Sequence, residues 1–259
     1  MFTYSQKLTL KSAKIGVVNW WVILLTFSLF IIGLIGIQLP NSVQLGLFIL
    51  LIIITGIPHG ATDHWVYHYF SGNDKADHPY NSRFFAYYLG TMAFYAFFWF
   101  IFPQLSLLFF LLLSAYHFGQ SQLYYLNSSE NHWVKILIYM LWGTMVLLEI
   151  LSQHQSESYQ ILSILITKSQ WKALVDVLFS NTFKLGLSAC WISLLIWAES
   201  KHWLSFLAIL KEIVLLVLLF LFVRYTSLLL AFGVYFSLWH AIQSIQKEIK
   251  EIRKINPYY

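Results

Sequence analysis

Three histidines sit late in apolar stretches of the chain. They are His59 in Pro58-His59-Gly60-Ala61-Thr62-Asp63-His64, His117 in Tyr116-His117-Phe118-Gly119, and His240 in Leu238-Trp239-His240-Ala241. Imidazole is a common ligand for iron, copper and zinc. Several neutral imidazoles hold a divalent ion without burying much negative charge. An ionisable side chain at membrane depth is costly and usually faces the interior of a helix bundle. Three such side chains meeting at one point would make a metal site that admits an apolar substrate and leaves open positions for dioxygen. Asp63 follows His59 by four residues, so on a continued helix it shares a face with it. It either holds the second imidazole nitrogen of His59, as carboxylates around metal sites do, or caps a turn just outside the bilayer. His64 is either a fourth ligand or a solvated loop residue.

The elements that must position these residues are transmembrane helices. Of 259 residues, 59% are hydrophobic and only 10% are charged, against roughly 25% charged in a soluble domain. Mean hydropathy is +0.66. Too few charges are present to cover a water-exposed surface, whereas lipid can face the apolar side chains. An apolar stretch from Val17 to Leu39 is long enough to cross a bilayer and lacks the short core and cleavage site of a signal peptide. Further spans are expected at residues 43–58, 83–102, 104–123, 133–152, 183–199, 211–223 and 226–247. The expectation is an all-α polytopic bundle of about eight spans in one membrane domain, residues 1–259. Lys211 and Glu212 are read as a helix start, with Glu212 near a positive helix N-terminus. Residues 153–182 form the longest loop, whose amphipathic part, 159–178, is read as lying along the membrane surface.

Charge and histidine depth support one topology. With the N-terminus inside, Lys7, Lys11, Lys14, Lys75, Arg83, Lys135, Lys201, Lys211, Lys247, Lys250, Arg253 and Lys254 fall on the cytoplasmic side. Lys168, Lys172, Lys184 and Arg224 fall on the other. This positive-inside bias places both termini in the cytoplasm. His59, His117 and His240 then lie ~20–24 Å along parallel helices at about 1.5 Å per residue, in one layer near the cytoplasmic face. His154 falls on the opposite side and cannot join them. His68, His78, His132 and His202 read as interfacial or loop residues, and Glu149 as structural. The one cysteine, Cys190, is a small apolar residue with no disulfide partner. The basic tail from Lys247 to Lys254 is interleaved with Glu248 and Glu251, which reads as a solvated helix end near anionic lipid and not as a nucleic-acid surface.

At these residues the sequence resembles the Brp/Blh family of membrane β-carotene 15,15′-dioxygenases. Gly56-Ile57-Pro58-His59-Gly60-Ala61-Thr62-Asp63 matches a G-x-P-H-G-A-x-D motif, and Ser114 to Gly119 carries a His-Phe-Gly motif at the end of a span. Tyr235 to His240 matches a third, late histidine motif. The resemblance covers about residues 43 to 250. It implies central cleavage of β-carotene by dioxygen to two retinal molecules, Fe(II) as cofactor, and His59, His117 and His240 as its ligands. Asp63 matches the acidic residue of the first motif. The third motif of the family ends His-x-x-x-His, whereas here the second place is Ser244. His64, Gln243, a water or nothing takes the missing position. Many members continue for about two further spans. Trp65, Tyr116, Phe118, Tyr124 and Trp239 are candidates to line a polyene tunnel, and packing or a membrane-interface belt is the alternative for each.

The expected setting is an inner cell membrane, with β-carotene, dioxygen and lipid as partners and a retinal-accepting rhodopsin as a further one. A non-catalytic carotenoid- or retinal-binding partner is the alternative function. A transporter would want broken helices and polar residues continuing across the membrane, and here the charges cluster near span ends. A rhodopsin would need a lysine deep in its last helix, and the eighth span has none before Lys247.

Overall fold

The structure is a computed structural model and describes residues 18–70, 82–126, 131–163 and 169–255. Lys7, Lys11, Lys14, Lys75, His78 and Lys168 lie outside the described residues, as does Val17 at the start of the first expected span. Every regular element among the described residues is helical. Five helical stretches are long and apolar enough to cross a membrane: Asn41–His68, Ser82–Ile101, His132–Gln153, Phe206–Tyr225 and Leu228–Arg253. A sixth candidate is the pair Lys172–Phe179 and Asn181–Ser200, bent by 57°. Trp20–Leu34 is a shorter apolar helix. Pro103–Gln122 is 20 residues long, but Gln104, Ser106, Ser114, His117, Gln120 and Gln122 lower its hydropathy. Large apolar side chains stand exposed along these helices, Phe100 at 87%, Tyr87 at 78% and Trp20 at 70%. Lipid tails are the surroundings that such side chains match.

The helices group into two compact units. The first takes residues up to Gln38 and Leu111–Leu228; the second takes Leu39–Phe110 and Leu229–Tyr259.

In the first unit Trp20–Leu34 packs on Phe206–Tyr225, and His132–Gln153 packs on both Asn181–Ser200 and Phe206–Tyr225. Trp142, Val146, Trp191, Leu195, Leu219 and Phe222 are almost fully buried among them. The Pro103–Gln122 and His132–Gln153 helices meet on paired glycines. A Cβ on Gly119 would overlap the Tyr139 carbonyl oxygen, and one on Gly143 would overlap the Ala115 carbonyl oxygen. Backbones approach this closely because a glycine leaves out the side chain at the crossing. Gly33 makes the same kind of approach to the Tyr225 carbonyl.

Glu212 departs from the sequence expectation. The helix starts at Phe206, where the Ser205 hydroxyl accepts from the Ala208 amide, so Glu212 lies well inside the helix. Its carboxylate is 2% exposed and accepts hydrogen bonds from Gln122 Nε2 at 2.9 Å and Tyr125 OH at 2.7 Å. Two donors from a distant segment satisfy the buried acceptor, so no helix end is required. Within residues 153–182, Gln155–Ser163 and Ser169–Phe179 are helices, and the Tyr159 hydroxyl donates to Asp176.

Lys184 donates to Glu149 at 3.0 Å and to Ser152 at 2.9 Å, and Gln153 donates to Glu149 at 2.7 Å. The ion pair is 17% and 10% exposed. Lys184→Met leaves a largely buried carboxylate short of its cation and is expected to cost about 2–3 kcal/mol. The double replacement Lys184→Met with Glu149→Leu is expected to regain most of that loss, because no uncompensated charge remains. Chemical unfolding in micelles measures both; a double variant as unstable as the single one would contradict this account.

In the second unit two π-helical stretches interrupt otherwise regular helices. One, Ile52–Gly56, joins Asn41–Leu51 to Ile57–Ala61; the other, Tyr235–Ala241, joins Leu228–Val234 to Ile242–Ile255. The two stretches pack on each other, and Gly56 and Gly233 make room for aromatic rings. A Cβ on Gly56 would stand 3.0 Å from the Phe236 ring, and one on Gly233 would stand 3.0 Å from the Phe48 ring. Phe232 and Phe236 stack at 5.8 Å. The Ile242–Ile255 helix packs along Ile57–Ala61 and Asp63–Phe70, which in turn meets Ser82–Ile101.

Candidate metal centre

His59 is delivered by local chain chemistry. The π-helical turn at Ile52–Gly56 ends two residues before Pro58, which occupies the first turn of Ile57–Ala61. Pro58 has no N–H to donate back into the helix, so one backbone bond is missing immediately after the wide turn. His240 lies inside the second π-helical stretch and is 3% exposed. Single π turns occur often at functional sites, because the wider turn re-aims the side chains that follow. The rings of His59 and His240 stand 5.1 Å apart, edge to face at 88°. Phe236 lies 5.9 Å from His240 and screens it on one side.

His117 lies on the Pro103–Gln122 helix, two residues before the close-packed Gly119. His59 and His240 both belong to the second unit, where their facing rings offer imidazole nitrogens to one ion, whereas His117 belongs to the first. Imidazole donors suit iron, copper or zinc and do not suit magnesium or calcium.

A profile of the β-carotene 15,15′-dioxygenase family matches residues 50–257. The chain belongs to this family. No curated protein and no solved structure matches it at a meaningful level. The matched segment contains all three histidines and both π-helical stretches of this dioxygenase-family chain.

Asp63 is half-buried and within electrostatic range of both His59 and His64. His64 Nδ1 lies 2.7 Å from the Ala61 carbonyl oxygen, and its ring packs near Trp65 at 5.6 Å and Phe85 at 5.9 Å. That bond gives Nδ1 the donor role and leaves Nε2 as the basic nitrogen. The aromatic candidates divide between the units. Trp65 and Trp239 belong to the unit of His59 and His240, with Trp239 2% exposed. Tyr116, Phe118 and Tyr124 belong to the other. There the Tyr116 ring meets Tyr139 at 6.1 Å, Phe118 is 6% exposed, and Tyr124, 36% exposed, meets Tyr125. Ser244 is buried at 6% exposure, one helical turn after His240.

Sequence reasoning missed Thr62 and Glu248. The Thr62 hydroxyl lies 2.8 Å from the His59 carbonyl oxygen and 2.9 Å from Glu248 Oε2, with its proton shared between the two acceptors. Glu248 is half-buried and within electrostatic range of His59 and Asp63, so the description of the basic tail as a solvated end does not extend to it. A signal was present: His240, Ser244 and Glu248 recur every four residues and so share one helical stripe.

Proposed function

We propose that this protein cleaves the central double bond of β-carotene with dioxygen, one oxygen atom going to each of the two carbons, to give two molecules of retinal. The observation that carries this reading is the facing His59–His240 pair, with rings 5.1 Å apart, in a chain of the β-carotene 15,15′-dioxygenase family. His59, His117 and His240 would hold Fe(II), and the ion would supply activation of dioxygen. Asp63 would orient the His59 imidazole, and His64, through Nε2, would take or return a proton at the rim of the site. Trp65, Tyr116, Phe118, Tyr124 and Trp239 would guide the polyene and exclude water. Regioselectivity then comes from which bond the tunnel presents to the metal.

The same reading includes the membrane. The eight-span topology with both termini cytoplasmic, in the inner cell membrane, accounts for the positive-inside bias and for the common depth of the three histidines. β-Carotene partitions into the bilayer and would enter sideways between helices, and retinal would leave the same way to a receiving rhodopsin.

In β-carotene-accumulating cells, expression is expected to bleach the pigment and yield extractable retinal, close to two molecules per carotene lost. Purified protein is expected to carry about one iron. Colour that persists with no retinal, and pigment co-purifying uncleaved, would instead assign the chain a binding role.

A further inference from the structure

The two histidines of the second unit come from segments far apart in the sequence, and their 5.1 Å ring separation has to be held by something besides apolar packing. Imidazoles can rotate, and the helices that carry them can slide along one another. A site within about 0.5 Å of working geometry needs supporting hydrogen bonds around its ligands.

A polar contact crosses between these two helices close to the histidines. The Thr62 side chain closes the turn after His59 by donating to the His59 carbonyl at 2.8 Å. The same hydroxyl reaches Glu248 Oε2 at 2.9 Å. Glu248 stands on Ile242–Ile255, two helical turns beyond His240 and on the same stripe. The hydroxyl therefore binds simultaneously to the backbone of one histidine residue and to the helix that extends from the other. Carboxylate acceptors make stronger hydrogen bonds than neutral ones. In apolar surroundings with little competing water, such a contact gains further.

We propose that Glu248 and Thr62 are positioning residues for the metal centre: through the Thr62 hydroxyl, Glu248 locks the helix of His240 to the helix end of His59 and so fixes the spacing of the two ligands. This inference rests on the metal-centre reading above, but it assigns a role to residues outside the ligand set. It also gives the interleaved acidic residue of the basic tail a use that a solvated helix end would not have.

The test is Co(II) titration of metal-free protein in nanodiscs, followed by the visible ligand-field bands of the bound ion. Thr62→Val and Glu248→Leu are each expected to weaken Co(II) binding about 10–100-fold, the range seen when residues supporting metal ligands are lost, and to shift the bands. Thr62→Ser keeps the donor and Glu248→Gln keeps an acceptor oxygen, so both are expected to bind within a few-fold of wild type with unshifted bands. The double variant Thr62→Val with Glu248→Leu is expected to be no worse than either single one, because both remove one contact. Wild-type affinity and bands in Thr62→Val and Glu248→Leu would overturn the proposal, as would additive losses in the double variant. Equal losses in Glu248→Gln and Glu248→Leu would overturn it too, since charge and not the hydrogen bond would then matter. His59→Ala run in parallel separates the two readings. If it abolishes Co(II) binding while Thr62→Val binds with wild-type affinity and bands, the positioning role fails and the metal centre stands. If it also binds Co(II) normally, the metal centre itself fails.

Discussion

Replacing His240 by alanine is expected to empty the centre of iron and to stop retinal formation. The side chain is 3% exposed and faces the His59 ring at 5.1 Å, so no solvent ligand reaches that position without rearrangement. Loss of a supporting residue typically costs about 10–100-fold in metal affinity. Loss of one of three nitrogen donors must exceed that, and two remaining imidazoles cannot hold a labile Fe(II) through purification. The substitution also opens a cavity in a packed π-helical turn, which costs stability by itself. Unfolding of the metal-free protein measures that part separately. His132→Ala, at an exposed position outside the cluster, is the control and is expected to keep both iron and activity. If His240→Ala retains iron and retinal at wild-type levels, the three histidines are not the ligands.

The second large effect is expected from Gly119→Ala, a change of one methyl group. In the structure a Cβ at Gly119 runs into the Tyr139 backbone carbonyl, and the reciprocal position, Gly143, runs into that of Ala115. Overpacking usually costs about 1–3 kcal/mol when a side chain can move aside. Here the obstacle is backbone, so the two helices must separate along their contact, and a loss of about 3 kcal/mol or more is expected. His117 is two residues away and moves with its helix, so iron content is expected to fall together with stability. Gly186→Ala supplies the comparison: nothing lies within 4 Å of its added methyl, and relief of glycine's poor helix propensity is expected to leave stability unchanged or raised by up to about 1 kcal/mol. Equal midpoints for Gly119→Ala and wild type in thermal unfolding would refute the close-crossing account.

These two predictions also mark what the sequence could and could not tell. The three histidines could be singled out from the sequence because imidazole is unusual in apolar helices. Long runs of Leu, Ile, Val and Phe made helices such as Phe206–Tyr225 evident. Its start was misread, because Lys211 and Glu212 looked unable to lie inside an apolar helix. Gln122 and Tyr125 make that possible, and they come from some ninety residues earlier. A one-dimensional pattern does not carry a partner that distant. Glu248 was missed for the same reason: charge alternation marked it as solvated, whereas the Thr62 hydroxyl that meets it is 186 residues away. The Gly-Ala-Thr-Asp segment did announce a turn, but not the acceptor waiting for its threonine. Between residues 153 and 182 the sequence showed an amphipathic part, but not where its helices Gln155–Ser163 and Ser169–Phe179 begin and end.

The π-helical stretches were wholly invisible, since nothing in Ile-Ile-Ile-Thr-Gly or Tyr-Phe-Ser-Leu-Trp-His-Ala distinguishes a wide turn from an ordinary one. Each such stretch behaves as a one-residue insertion absorbed without a loop. Every residue of a helix advances the azimuth by about 100°. Deleting a single outward-facing isoleucine such as Ile53 or Ile54, both more than half exposed, would restore regular winding and swing His59 about a quarter turn off its bearing. On that surface the number of residues therefore matters more to the histidines than which apolar side chains they carry. An indel there would act on His59 as surely as a substitution beside it, although the residue removed is more than half exposed.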